Sequence, residues 1–225
     1  MTRRQHDFRE RVIVPRAPHA QGVLSQTLRV IRDELGLPES FAPEVEAEAK
    51  HAVESIQLPE LDLTAIPFVT IDPAGATDLD QAVHIERLGE GYLVHYAIAD
   101  VAAFVEPGGA IDLEARERGQ SLYAPDGRIP LHPTVMSEGA ASLLPGVDRG
   151  AYVWSMTLDA ATTTTATTLQ RARVRSRRQY SYVEVQAQLD AGTADESLQL
   201  LREVGLGRVA LEQARGGASL NRPDE

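Results

Sequence analysis

Three aspartates fall close together in the segment VTIDPAGATDLDQAV, at Asp72, Asp78 and Asp80. Asp72 closes a short apolar run. Pro73 and Gly75 tighten the chain behind it, and Asp78 and Asp80 stand two residues apart at the entry to the next apolar segment. Carboxylates gathered by a tight turn raise one another's pKa unless a counter-ion intervenes. A hard divalent cation resolves that conflict, and magnesium suits oxygen ligands while keeping waters that substrate phosphates can replace. Two such ions roughly 3.5–4 Å apart can activate a water and stabilise the leaving oxygen in phosphodiester hydrolysis. Spacing alone leaves other readings open. Aspartate is common in turns because it caps helices and forms Asx-turns. A calcium loop is a further alternative, although the EF-hand order of acidic residues, glycine and terminal glutamate is absent.

A second candidate is basic. QRARVRSRRQY, read as a strand, puts Arg171, Arg173, Arg175 and Arg177 on one face, a positive stripe suited to a phosphate backbone. An edge strand protected by exposed cations reads the same way. The formal net charge of −11 speaks against a nucleic-acid partner, but a metal-loaded carboxylate cluster is less acidic than its bare count. With no cysteine, a thiolate nucleophile, a disulfide framework and a Cys-ligated zinc are excluded. His84, His95 and His132 show no ligand spacing and read as sheet and loop residues. Trp154 reads as core, Asp100 as the cap of the turn after its strand, and Arg116 and Arg118 as solvated helix residues.

The elements that must position these groups follow from periodicity. Residues 1–22, arginine-rich and aperiodic, read as a flexible arm. Residues 23–60 form a helical region: Leu24, Leu28, Ile31 and Leu35 recur at helical spacing, and a second helix after Pro43 carries Val45, Ala49, Ala52, Val53 and Ile56. Both are expected to pack on the main domain. From Pro67 strands dominate: Phe68–Ile71, then Ala82–Leu88 and Tyr92–Ala99 around a three-residue loop, Gly89 to Gly91. Alternation in Tyr92–Ala99 predicts that both its faces are covered. A short helix spans Ile111–Arg118, YAPDGRIPLHP is loop or edge structure, and Tyr152–Leu158 with Thr162–Val174 forms another hairpin. Ser181 with Glu184 and Thr193 with Glu196 fit capping boxes that open two final helices. The fold class expected is α+β, a mixed, mainly antiparallel sheet flanked by helices. No apolar run approaches the roughly 20 residues of a membrane helix, and a cytoplasmic protein is expected.

The stretch from Phe68 to about Met156 resembles the catalytic domain of the ribonuclease II/RNB family, through TIDPAGATDLDQAV, HYAIADVAAFVEPGGAIDLEARERGQSLYAPDGRIPLHP and MSEGAASLLPGVDR. The resemblance makes residues 61–225 the N-terminal portion of such a domain. It implies a 3′→5′ exoribonuclease that degrades single-stranded RNA to nucleoside 5′-monophosphates with one or two magnesium ions, manganese being a possible substitute. Asp72, Asp78 and Asp80 fall on three of the family's four clustered aspartates; the fourth position holds Gln81, a neutral ligand. Tyr123 falls on an aromatic that stacks against a terminal base, and Tyr182 on a tyrosine near the reacting nucleotide. The family's downstream arginine motif has no match here, so the remainder of the catalytic domain is expected to be missing. A catalytically silent RNA-binding or protein-interaction scaffold is the alternative.

Overall fold

A computed structural model of the protein describes residues 18–38 and 40–217, and the expected arm lies outside them up to residue 17. Residues 18–22 already belong to a helix, α1 (Pro18–Glu34), followed by α2 (Pro43–Ser55) with Pro43 in its first turn. The central sheet takes β1 (Val69–Asp72), β2 (Gln81–Leu88), β3 (Gly91–Ala99), β6 (Asp148–Leu158), β7 (Thr164–Arg175) and β8 (Arg178–Ser181) in the order β7-β6-β3-β2-β1-β8. All neighbours are antiparallel except β1 and β8, which run parallel. Between β3 and β6 come a 3-10 turn (Val101–Phe104), α3 (Ala110–Arg118), the small hairpin β4 (Leu122–Ala124) and β5 (Gly127–Ile129), and a π turn (Val135–Ala140). Helices α4 (Tyr182–Ala191) and α5 (Glu196–Ala214) close the described chain. This is the expected α+β class with a mixed, mainly antiparallel sheet.

One sheet face is paved with small residues. Ala82, Ala97, Ala99, Ala151 and Ala172 are all buried, and over them pack Phe68, Leu79 and Leu143, each at most 1% exposed. Alanine rows let the chain between β1 and β2 approach the sheet closely, which fixes Leu79 between the two aspartates that flank it. On the opposite face α5 covers Ile85, Tyr92, Val94 and Leu158 with Leu200 and Val204, and a neighbouring cluster joins Val69 and Tyr180 to Val185 and Leu198. A separate cluster seats α2 through Val45 and Ala49 against Phe104, Ile111 and Met136.

Several expectations change. Helix α1 leaves Leu24, Ile31 and Leu35 exposed and is tied to the β4–β5 hairpin by the paired hydrogen bonds of Arg32 to Asp126, at 2.9 and 3.0 Å. The β2–β3 turn has two residues, because Leu88 pairs with Gly91; a side chain at Gly91 would collide with the Leu158 carbonyl, so this glycine serves close approach within the strand. The face of β3 bearing Tyr96 and Ile98 is covered by α5 only at its Tyr92 end, and Trp154, in register with Tyr96, is 37% exposed rather than core. The Ser181–Glu184 capping box is present, whereas α5 is capped by Asp195, whose carboxylate accepts from Leu198 N at 2.9 Å. A carboxylate one turn back reaches that N–H directly, which makes Thr193 unnecessary as a cap.

Candidate active site

Strand β1 delivers Asp72 at its C-terminal end, in register with Ser181 of the parallel strand β8. The chain then turns through Pro73–Ala76, with Ala76 N donating to Pro73 O at 3.1 Å and Gly75 at φ 84°, a conformation that favours glycine. Its return to the sheet is held by backbone bonds on both sides of Leu79. Leu79 N donates to Ser142 Oγ (3.0 Å), Ser142 Oγ donates to Thr77 O (2.7 Å), and Leu143 N donates to Leu79 O (2.8 Å). Ala99 N donates to Asp80 O at 2.8 Å, which starts β2 and points consecutive side chains to alternate sides.

Asp72, Asp80, Tyr96 and Tyr182 form one neighbourhood, to which Gln81 is joined through Tyr96. Burial, then Asp80, then Asp78 push the Asp72 carboxyl above the ordinary carboxylate range. Tyr182 opens α4 directly after Ser181; its phenol is pushed up by burial and then by Asp72 and Asp80. The Tyr96 phenol is raised by burial, Asp80 and Asp72, and its hydroxyl donates to the Gln81 side-chain oxygen. Gln81 therefore turns a carbonyl oxygen, an uncharged acceptor, toward a phenol whose pKa the aspartates already raise.

Asp78 faces a different set. It lines a cleft of about 170 Å³ with Asp80, Tyr123, Arg128 and His132. Arg128 Nη1 donates to Asp78 Oδ2 at 2.5 Å and Nη2 to Glu138 Oε1 at 2.5 Å, while Thr77 Oγ1 donates to Glu138 Oε2 at 2.6 Å. Among the described residues no three acidic or histidine side chains come together as a metal-holding group. The donor chemistry fits a hard cation nonetheless: carboxylate and amide oxygens, with Asp72 carrying a charge conflict that a cation would relieve.

The aromatic and basic candidates separate. Tyr123, 74% exposed, stands on β4 directly across from Arg128 and overlooks the cleft; Tyr182, 58% exposed, stands on the Asp72 side. Arg171, Arg173 and Arg175 do share a strand face, alternating with buried Ala172 and Val174, but each is ion-paired: to Asp100 (2.5 Å), Asp62 (2.7 Å) and Asp148 (2.6 Å) respectively. Arg177 leaves that row and donates to Thr64 O at 2.6 Å. Asp100 caps no turn with its side chain, because Arg171 takes it. Arg116 is solvated as expected, whereas Arg118 is a buried tie: it donates to Glu114 and to the carbonyls of Ser40 and Pro130, with its guanidinium 3.9 Å above the Phe41 ring.

Sequence reasoning missed Arg128, Glu138 and Tyr96. Cross-strand registry with Tyr123 was the available signal for Arg128, once PDG between two short apolar runs is read as a hairpin turn. His84 and His95 pair across β2 and β3 with stacked rings, and His132 borders the cleft with its imidazole pushed below its ordinary value by burial.

A family model described as RNB domain matches residues 60–225. Ribonuclease R of Acidithiobacillus ferrooxidans is 44% identical over 132 residues, 56% of this chain and 30% of that protein. The solved structure of Mycoplasma genitalium RNase R with double-stranded RNA superposes with a TM-score of 0.72 at 26% identity, covering 84% of this chain and 35% of that one. The chain thus spans about a third of these relatives' length. A likeness in fold alone, TM-score 0.58 at 18% identity over 76% of this chain and 20% of the other, extends to yeast Ssd1, described as a pseudonuclease.

Proposed function

The chain belongs to the RNB-domain family, and from that premise we propose that it forms the acidic half of a 3′→5′ exoribonuclease site acting on single-stranded RNA in the cytoplasm. Asp72 and Asp80, with Asp78 once it leaves Arg128, are the anionic ligands for one or two magnesium ions, and the Gln81 oxygen is a neutral one. A bound ion of this kind lowers the pKa of its water and stabilises the leaving oxygen. Tyr123 stacks on a terminal base and Tyr182 stands near the reacting nucleotide, a sequence-tolerant grip that a degrading enzyme needs. Arg171, Arg173 and Arg175 meet phosphate only by exchanging their aspartate partners, so their share of RNA affinity is small. The observation that carries this reading is the crowding of Asp72 by Asp80 and Asp78 beside Tyr182, inside the segment that the family model covers.

Incubation of 5′-labelled single-stranded RNA and magnesium with the protein in a full-length context, where the other half of the site is supplied, tests it. The expected result is shortening from the 3′ end with release of nucleoside 5′-monophosphates. A second reading, an RNA-binding scaffold without hydrolysis, is favoured by the Arg128–Asp78 bridge and by neutral Gln81. RNA that is bound yet stays intact at every magnesium concentration would establish that reading instead.

A further inference from the structure

Arg128 reaches from β5 into the acidic site and grips two carboxylates at once, Asp78 at 2.5 Å and Glu138 at 2.5 Å. Its guanidinium is only 28% exposed, and Asp78 and Glu138 are 30% and 27% exposed, so the bridge is sheltered from solvent and poorly screened. Glu138 is held in turn by Thr77, next to Asp78 in the chain, which closes a ring Thr77–Glu138–Arg128–Asp78. A planar fork with two separate donor edges suits such a bridge; a lysine ammonium, a point charge on a flexible stem, does not. Asp72 and Asp80 have no comparable cation among the contacts above. The site is thus asymmetric, with crowded carboxylates on the β1 side and a neutralised one on the β5 side.

On the reading that this site takes a divalent cation, we infer that Arg128 is a resident counter-ion which competes with the metal for Asp78, so that loading the Asp78 side requires the Arg128–Asp78–Glu138 bridge to open. Opening has a structural consequence. Arg128 stands directly opposite Tyr123 in a three-residue-per-strand hairpin that is also tethered by the Arg32–Asp126 pair. Releasing the bridge removes the hairpin's tie to the acidic site and leaves a guanidinium beside Tyr123, placed to meet an RNA phosphate instead of a carboxylate. Metal loading and the freedom of the RNA-gripping tyrosine are therefore linked through one side chain.

Binding of Mn²⁺ to the 225-residue protein, followed by electron paramagnetic resonance without RNA or turnover, tests this with the parent, Arg128→Gln, Arg128→Lys and Asp80→Asn. Opening a sheltered bridge costs on the order of 1 kcal/mol, so Arg128→Gln is expected to tighten Mn²⁺ binding by about fivefold or more. Arg128→Lys keeps the charge but loses the fork, and is expected to fall between parent and Arg128→Gln. Far-UV circular dichroism checks that each variant is folded. Unchanged or weaker Mn²⁺ binding in both arginine variants overturns the inference. So does tightening in Arg128→Gln alone, which would assign the effect to net charge. Asp80→Asn separates the two levels: if it binds Mn²⁺ as the parent does, the cation-site reading falls and takes this inference with it. If it loses Mn²⁺ while the arginine variants match the parent, only the inference about Arg128 falls.

Discussion

Asp72 is the residue on which charge and fold disagree most. Burial and the neighbouring Asp80 and Asp78 hold its carboxyl above the ordinary value, so the fold favours its protonated form. A group raised in this way contributes its stability fully below the unfolded pKa and loses it as pH rises through the folded one. Asp72→Asn, neutral at every pH, is therefore expected to melt above the parent at pH 7 in metal-free buffer, with the difference closing below about pH 4. Differential scanning calorimetry across that range reads it directly, and a gap that widens toward acid would contradict the cause given. Gln81 supplies the complementary test. Gln81→Asp adds an anionic oxygen beside Asp80, and the magnesium concentration for half-maximal RNA hydrolysis is expected to fall several-fold. The aspartates lie close together in the sequence, but their spacing alone left several readings open, and Gln81 came into view only through the family resemblance. Arg128 and Glu138 were not legible there, because only the folded hairpin and π turn bring positions so far apart in the chain to Asp78.

At the scale of elements, the site depends on how the β1–β2 connection is sewn to the segment after the π turn. Ser142, 1% exposed, uses its hydroxyl in both senses, accepting from Leu79 N and donating to Thr77 O. Ser142→Ala orphans a buried N–H between Asp78 and Asp80, and is expected to cost roughly 1–3 kcal/mol in urea denaturation, with the slope of the transition unchanged. A loss below about 0.5 kcal/mol would show that water replaces the hydroxyl and that the turn is not held this way. Periodicity found β1, β2, β3, β7, α2 and α3 to within about two residues, since apolar alternation is a local property of the chain, but it began β6 four residues late and did not separate β8 from β7. It failed where tertiary contact decides: Gly91 belongs to a strand because Leu158 passes against it, α5 starts from Asp195, and Arg118 is drawn inward by Phe41 and two carbonyls.

For the molecule as a whole, the arginine stripe changes meaning once its partners are known. Asp62, Asp100 and Asp148 pair with Arg171, Arg173 and Arg175, so on the proposed RNA-binding reading this stripe adds little phosphate neutralisation. The expected salt dependence is shallow: a log–log slope shallower than about −2, against roughly −0.7 for each phosphate neutralised on a single strand. Fluorescence anisotropy of labelled RNA in increasing KCl measures it, and a steep slope would return the stripe to the binding surface. Ile98, Tyr152, Trp154 and Leu169 also lie exposed in adjoining rows of one sheet face, beyond the reach of α5. Among the described residues no helix is long and apolar enough to cross a membrane.

The central claim is that the aspartate segment does the chemistry while the tyrosines hold the RNA, and Asp80→Asn tests it most directly. The substitution keeps size and hydrogen-bonding atoms but removes the charge that a cation and its activated water require. Hydrolysis of labelled single-stranded RNA and RNA affinity are measured in parallel for parent and variant, in a full-length context, over a magnesium titration. The account predicts hydrolysis reduced by at least about a hundredfold with affinity within a factor of about two, since stacking survives the change. An Asp80→Asn protein that cuts RNA at the parental rate would contradict the account.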